Sequence, residues 1–301
     1  MVSIAMATYN GERYLQQQLD TILQQSHAQL EIIIVDDCST DNTRNILNIY
    51  RQKDQRIHLY FNERNTGYKT TFITALQHCT AEYILFCDQD DCWLQHKVET
   101  LLRYIGDRLL VFSDSELVNE AGDSMGMHLS DTVSMRQPGK AVVNRGFVTG
   151  NCVWGHTILF HRSLLVHAAM ENNDHPHDWW LAVVSSLLDK IVFCPIVLNQ
   201  YRQHGHNVTQ AMPGKKGKVP GRKRAEYELQ LSRIDSIAAL PFNTDQAFYL
   251  QWKQLFITRE LGFSMPLFTF LLKHRKAVFA FKQKNWFAQV VEIRKMCREL
   301  P

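Results

Sequence analysis

Three aspartates within four positions, Asp88, Asp90 and Asp91, follow directly on the apolar run "YILFC" (83–87). Carboxylates so close repel one another, and each makes the next harder to ionise. A hard divalent cation relieves the crowding, because it takes oxygen ligands from several sides at once. Such an ion also draws in a diphosphate, which bare carboxylates would repel, and it stabilises the charge on a departing phosphate. The chemistry suggested is Mg²⁺- or Mn²⁺-assisted departure of a nucleotide diphosphate. The competing reading is local: acids at the start of the next helix cap it and favour its positive end. That accounts for one of the three more readily than for all of them.

Acids at one edge need a scaffold, and the first 115 residues supply an alternation of strands and helices. "VSIAMAT" (2–8) is a continuous apolar run, as expected of a strand buried on both faces. A helix follows with Leu15, Leu19, Ile22 and Leu23 on one side. "EIIIV" (31–35) is the second strand. The next helix carries Ile46, Leu47, Ile49 and Tyr50, with Ser39, Thr40 or Asp41 as its cap. Strands at 57–61, 83–87 and 108–117 and helices over 69–79 and from Cys92 complete the series. This order predicts an α/β fold with a mostly parallel, Rossmann-like sheet flanked by helices. Ligands of such sheets bind beyond the carboxyl ends of the strands. The polar residues collect there: Thr8, Tyr9 and Asn10, then Asp36 and Asp37, then Asn65 and Gly67, then Asp88 to Asp91.

The rest of the chain bounds the answer. The 301 residues are 45% hydrophobic and 21% charged, which suits a globular chain, and the net charge of +3 is too small to indicate a nucleic-acid partner. The basic charge is uneven: 214–224 carries six Lys/Arg and no acid, and 273–300 is also basic. Seven scattered cysteines read as reduced thiols. The start lacks a basic n-region and goes straight into what reads as a strand, so a cytoplasmic location is expected. The apolar stretch 261–272 is too short to span a bilayer.

The motifs "MATYNGERYLQQQLDTILQQS", "EIIIVDDCSTDNT", "NTGY" and "AEYILFCDQDDCWLQHKV", in this order, resemble the family 2 glycosyltransferases of the GT-A fold. They look most like the bacterial rhamnosyltransferase-like branch that builds O-antigens and capsules. The resemblance spans about residues 1–210 and implies a GT-A catalytic domain there. Its nucleotide-sugar half would be 1–115 and its acceptor-side half 116–210, followed by a basic linker (211–224) and a C-terminal helical extension (225–301). It implies an inverting enzyme that uses Mn²⁺ or Mg²⁺, a dTDP-rhamnose or UDP-hexose donor, and a glycan acceptor of the lipid-linked kind.

The resemblance also assigns roles. Thr8, Tyr9 and Asn10 would lie against the nucleotide and Asp36 would contact the base, with Asn65 and Gly67 nearby. Asp88 would reach the ribose or the metal, Asp90 would be the first metal ligand, and Asp91 would support the loop or the sugar. Lys69 and Arg202 would contact phosphate, and His204 the pyrophosphate or the metal shell. Solvent exposure for Lys69 and simple packing for His204 compete with those roles. Asp178, in "HPHDWW", matches the general base that strips the acceptor hydroxyl of its proton; helix capping is its alternative. Relatives often carry Glu-Asp there, and this chain has His177. Gly150 and Asn151 would lie on the acceptor-side loop, with Trp179 and Trp180 stacking on a sugar or filling the core.

The C-terminal helices mix Leu, Phe and Trp with Lys and Arg, as interfacial helices do. An anionic inner-membrane surface, packing on the catalytic domain and pairing of two copies are the readings open to them. Two other classes compete with the enzyme: a non-catalytic nucleotide- or glycan-binding scaffold, and a sugar nucleotidyltransferase. The second lacks a convincing Gly-rich phosphate loop after strand one. No G-x-G-x-x-G follows that strand, which disfavours a dehydrogenase.

Overall fold

A computed structural model describes residues 1–132, 144–170, 175–205, 207 and 222–298. The basic linker therefore falls almost wholly outside the described residues.

Strands β1 (Val2–Thr8), β2 (Leu30–Asp36), β3 (Ile57–Phe61) and β4 (Tyr83–Cys87) are parallel, in the order β3-β2-β1-β4. Helices α1 (Leu15–Leu23), α2 (Thr43–Lys53) and α3 (Tyr68–His78) make the crossovers. Alternate residues of these strands serve opposite faces. Ile4, Met6, Ile32 and Ile34 pack with Leu15, Leu19, Ile46 and Leu47. Ala5, Ile33, Val35, Ile84 and Phe86 pack on the other side with Phe72 and Ala75. Burial on both faces is what the unbroken apolar runs require.

The second half of the sheet is mixed. β8 (Ile158–His161) inserts antiparallel between β4 and β6 (Leu110–Val118), and β9 (Ile191–Arg202) runs parallel to β6. β7 (Ser124–His128) forms a hairpin with β6. Two antiparallel steps, β4 to β8 and β8 to β6, return β6 and β9 to the direction of the first four strands, so the sheet is mostly parallel as expected, with β5 (Cys92–Trp93), β7 and β8 its antiparallel members. The short strand β5 pairs with β9 where the sequence reads as helix, and α4 begins only at Lys97 (Lys97–Ile105). This pairing ties the acid-bearing loop to the end of β9. At α2, Asp41 Oδ1 accepts the Thr43 N–H at 3.0 Å. Ser39 instead donates to Asp36.

After α5 (Leu129–Thr132) and α6 (Leu164–Ala168), α7 (His177–Leu187) covers one face of the sheet. The C-terminal helices are α8 (Arg222–Ala238), α9 (Gln246–Ile257), α10 (Met265–Val278) and α11 (Trp286–Met296). Their Ile234, Tyr249, Trp252, Leu271 and Ile293 belong to the same core as Phe86, Phe160 and Leu181. An Arg145–Asp245 ion pair at 2.7 Å reinforces the junction. Of the readings open to this region, packing on the catalytic half is the one observed. Among the described residues no helix is long and apolar enough to cross a membrane. All seven cysteines are free thiols, six of them buried.

Candidate active site

The strand ends open into a cleft of about 1160 Å³, large for a small-molecule pocket and roomy enough for a nucleotide sugar and part of a second substrate. Its wall contains Thr8, Tyr9, Asn10, Asn65, Gly67, Asp88, Asp90, Asn151, Asp178, Trp179 and His204. Thr8 to Asn10, Asn65, Gly67, Asp88 and Asp90 meet here, as their order after the strands predicts, and Asn151, Asp178, Trp179 and His204 lie on the same wall.

The loops after β1, β2 and β4 are locked to one another. The Gln89 side chain brackets the Tyr9 backbone, accepting from its N–H and donating to its carbonyl at 2.9 Å each. A Cβ on Gly11 would lie 2.3 Å from Gln89 Oε1, so only glycine permits this approach. Asn10 accepts from the Thr40 N–H at 2.8 Å and its own N–H donates to Ser39. Asp37, rather than Asp36, has its carboxylate on the cleft side. It accepts from Asn62, from Thr66 and from the Gly67 N–H. Burial works to raise the Asp37 pKa, but these hydrogen bonds outweigh it and hold the carboxyl below its ordinary value. Asp36 is fully buried, off the cleft wall, and accepts from the Ser39 N–H, Thr8 and Arg44. Its bonds organise the loop and leave no carboxylate edge toward a base.

The acids after β4 divide between two settings. Asp90 Oδ2 meets His204 Nε2 at 2.8 Å. Asp88, Asp91 and His156 each offer one atom, all within 4.8 Å of one another. The Asp88 side chain is 43% exposed toward the cleft, and its Oδ2 lies 3.9 Å from His156 Nδ1. Asp91 is buried; its Oδ1 accepts the Arg202 N–H at 3.1 Å, and its Oδ2 has no partner among the described residues. Although part of the carboxylate reaches the cleft, desolvation by the surrounding walls, then repulsion from Asp90 and Asp178, pushes the Asp88 pKa up to about 7. Burial followed by the charges of Asp90 and Asp88 raises that of Asp91. His156 is buried, and burial pushes it down to about 3, with Lys97 adding to the effect. Its ring is thus a neutral imidazole. Nε2 sits 2.9 Å from Ser115 Oγ, which leaves Nδ1 facing the acids. A buried carboxylate oxygen without a donor, a second carboxylate and a fixed neutral imidazole together fit a divalent cation such as Mn²⁺.

The crowding also has an internal counter-charge. Lys97 is fully buried, donates to the His156 carbonyl at 2.7 Å and lies 3.6 Å from the Trp93 ring centroid. Burial lowers its pKa to about 7, while Cys87, Asp91 and Asp88 oppose the shift.

Other expected contacts fall elsewhere. Arg202 is buried and off the cleft wall. Its guanidinium donates to the carbonyls of Asp90 and Glu120 at 3.0 Å and to Gln17 Oε1 at 2.6 Å. It clamps the acid loop and does not face a phosphate. Lys69 and Gly150 are not on the wall. Trp180 is buried and donates to the Ala168 carbonyl, so it is a core residue. Trp179 reaches the wall while its indole N–H donates to the Phe147 carbonyl at 3.0 Å.

Asp178 lies in the first turn of α7, whose N-cap is Pro176. Its Oδ1 accepts the Trp179 N–H at 2.7 Å, so it orients itself on the helix without capping it. Asp88 and Tyr68 both feel its charge, which sets base candidate and acid cluster within electrostatic reach across one cavity. His156, Tyr68, His177 and Arg233 also line the cleft. Sequence reasoning missed His156, Tyr68 and Arg233. His156 is one of 13 histidines, with no spacing to mark it.

The model of glycosyl transferase family 2 matches residues 3–167, and the chain belongs to that family. TuaG of Bacillus subtilis, named for teichuronic acid biosynthesis, is 40% identical over 113 residues, 38% of this chain and 45% of TuaG. The chain thus matches less than half the length of that relative. WfgD of Escherichia coli, a UDP-Glc:alpha-D-GlcNAc-diphosphoundecaprenol beta-1,3-glucosyltransferase, is 27% identical over 207 residues, 67% of this chain and 77% of WfgD. The S. aureus TarS 1-349 structure with UDP-GlcNAc superposes with a TM-score of 0.58 at 19% identity, covering 92% of this chain and 81% of TarS 1-349. That likeness establishes the GT-A fold. None of these three names mentions rhamnose.

Proposed function

We propose that the chain is an inverting glycosyltransferase that moves a hexose from a nucleotide diphosphate to a hydroxyl of a lipid-linked glycan. The observation that carries this is the shared cleft: strand-end acids at one end, Asp178 on the facing helix, each within the other's field. A single displacement needs one base and one stabilised leaving group, not a pair of catalytic carboxylates. Asp178 accepts the proton of the acceptor hydroxyl as its oxygen bonds to the anomeric carbon. The bond from that carbon to the diphosphate oxygen breaks, its electrons leave with the nucleotide, and the configuration inverts. Asp88, Asp91 and His156 would hold Mn²⁺ or Mg²⁺, with Asp90 and His204 alongside. A bound ion there supplies positive charge to the departing diphosphate. Thr8, Tyr9, Asn10, Asp37, Asn65 and Gly67 would bind the nucleotide. The names of WfgD and of the TarS complex favour a UDP-hexose over dTDP-rhamnose.

Attachment to the inner face of the cytoplasmic membrane would bring the enzyme to such an acceptor. The exposure of Trp286 (59%) and Phe287 (69%), which open α11, and the Arg294 and Lys295 of its last turn support that reading.

A panel of nucleotide sugars with and without Mn²⁺, read by thermal shift and by nucleotide release, tests the proposal. One UDP-hexose should stabilise the protein in a Mn²⁺-dependent way and be turned over, and Asp178→Asn should keep the binding and lose transfer. Full transfer by that variant would remove the proposed base.

A further inference from the structure

We infer that Arg233, carried by the C-terminal helical region, receives an oxyanion that the acceptor bears close to its reacting hydroxyl. The inference rests on the reading of the Asp178 end of the cleft as the acceptor end.

Among the described residues two arginines line the cleft, Arg13 and Arg233. Arg13 is ion-paired with Glu120. Arg233 has no carboxylate among the described residues within ion-pairing distance. Among the described residues its Nη1 makes one long hydrogen bond, 3.5 Å to the Val148 carbonyl, and its buried Nε has no acceptor. Its Cζ lies 4.9 Å from the Trp179 ring centroid, so the indole supports the guanidinium from one face. Most of its five N–H donors are therefore uncommitted. A guanidinium stays charged at physiological pH, so partial burial without an anion carries a cost that an anionic ligand would offset. Burial pulls its pKa below the ordinary value, and Asp178 is the carboxylate that opposes the shift. Asp178 immediately precedes Trp179, the ring that supports the guanidinium, and both Asp178 and Arg233 line the cleft, so the cation shares the end of the cleft where a hydroxyl would be deprotonated. The fork geometry suits two oxygens of one phosphate or carboxylate. The anion is either a phosphate, as in a glycosyl phosphate, or the carboxylate of a uronic acid; the shared chemistry is a planar or tetrahedral oxyanion one sugar from the attacking oxygen.

The test uses the full chain with excess UDP and Mn²⁺ to saturate the nucleotide end. N-acetylglucosamine 1-phosphate, glucuronic acid and neutral methyl N-acetylglucosaminide are titrated separately, read by tryptophan fluorescence. At least one anionic probe should bind about tenfold tighter than the neutral one, and which does so tells phosphate from carboxylate. Arg233→Gln should erase the preference. Arg233→Lys keeps the charge and most of the packing but offers no fork, so it should lose about threefold or more of the preference; it decides the matter alone if the glutamine variant does not fold. No preference in the wild type, or an unchanged one in either variant, overturns the inference. A wild type that turns over a donor but ignores the anion sinks only this inference. Anion preference lost in Arg233→Gln, with no donor turned over, sinks only the enzyme reading.

Discussion

Arg202→Met should act on stability before it acts on any substrate. The guanidinium makes three hydrogen bonds to oxygen, to Asp90, Glu120 and Gln17, and rests 4.9 Å from the Tyr14 ring centroid. Hydrogen bonds from a charged donor contribute about 1.5–3 kcal/mol each. Two of the acceptors are backbone carbonyls near the cleft rim that water can partly reach, so the contributions will not add in full, and about 3–5 kcal/mol is expected for the loss of a buried charged partner. With a urea slope of about 3 kcal/mol per molar for a chain of this size, the unfolding midpoint should fall by roughly 1–1.7 M. The assay is urea unfolding followed by tryptophan fluorescence, since Trp93, Trp179 and Trp180 are all buried. Mn²⁺ affinity should fall in the same variant, because the Asp90 carbonyl loses the group that holds it. An unchanged midpoint together with a large rise in KM for the donor would refute the clamp and return Arg202 to the phosphate.

Asp178→Asn should lower transfer by about 10²–10⁴-fold with nucleotide affinity unchanged, the usual range for a general base; steady-state kinetics check it. Asp91→Asn should weaken Mn²⁺ binding more than Asp90→Asn, because Asp91 holds the unpartnered buried oxygen; isothermal titration with Mn²⁺ and UDP decides, and the reverse order would favour Asp90 as the principal ligand. Burial first, then donation to Asp20 at 2.7 Å, pushes the Tyr50 pKa up to about 12. The native state therefore keeps a proton that the unfolded chain loses above about pH 10. The associated stability is complete below about pH 10 and is lost as pH rises toward 12, by up to roughly 1.4 kcal/mol per pH unit; Tyr50→Phe should flatten that slope in denaturant titrations. Trp286→Ser with Phe287→Ser should reduce flotation with anionic liposomes and leave the unfolding midpoint nearly unchanged, since both side chains face solvent.

The parallel half of the sheet was legible because a strand buried on both faces must be apolar throughout, and β1, β2 and β4 write that condition directly into the chain. The polar residues behind each strand were legible for a topological reason: parallel order delivers every strand end to one edge. What lay hidden was pairing between distant segments. Nothing local marks Cys92–Trp93 as a strand, because its partner is β9, about a hundred residues on. The same distance hid Lys97, whose burial beneath the acids depends on the His156 carbonyl and the Trp93 ring. Arg202 and Asp36 had the residue types of ligand contacts, and only the three-dimensional count of their hydrogen bonds shows both spent on the scaffold. Asp37, one position from Asp36, points the other way because successive residues leaving a strand face opposite sides. Arg233 escaped notice because its helix lies beyond the family motifs and joins the cleft only through tertiary packing.

The most direct test of the account is an anomalous difference map from crystals grown with Mn²⁺ and UDP-GlcNAc. The account predicts a manganese peak within bonding distance of Asp88 and Asp91 that also touches the diphosphate, with Asp178 facing the anomeric carbon. A diphosphate seated without manganese near those aspartates, or a sugar turned away from Asp178, would contradict it.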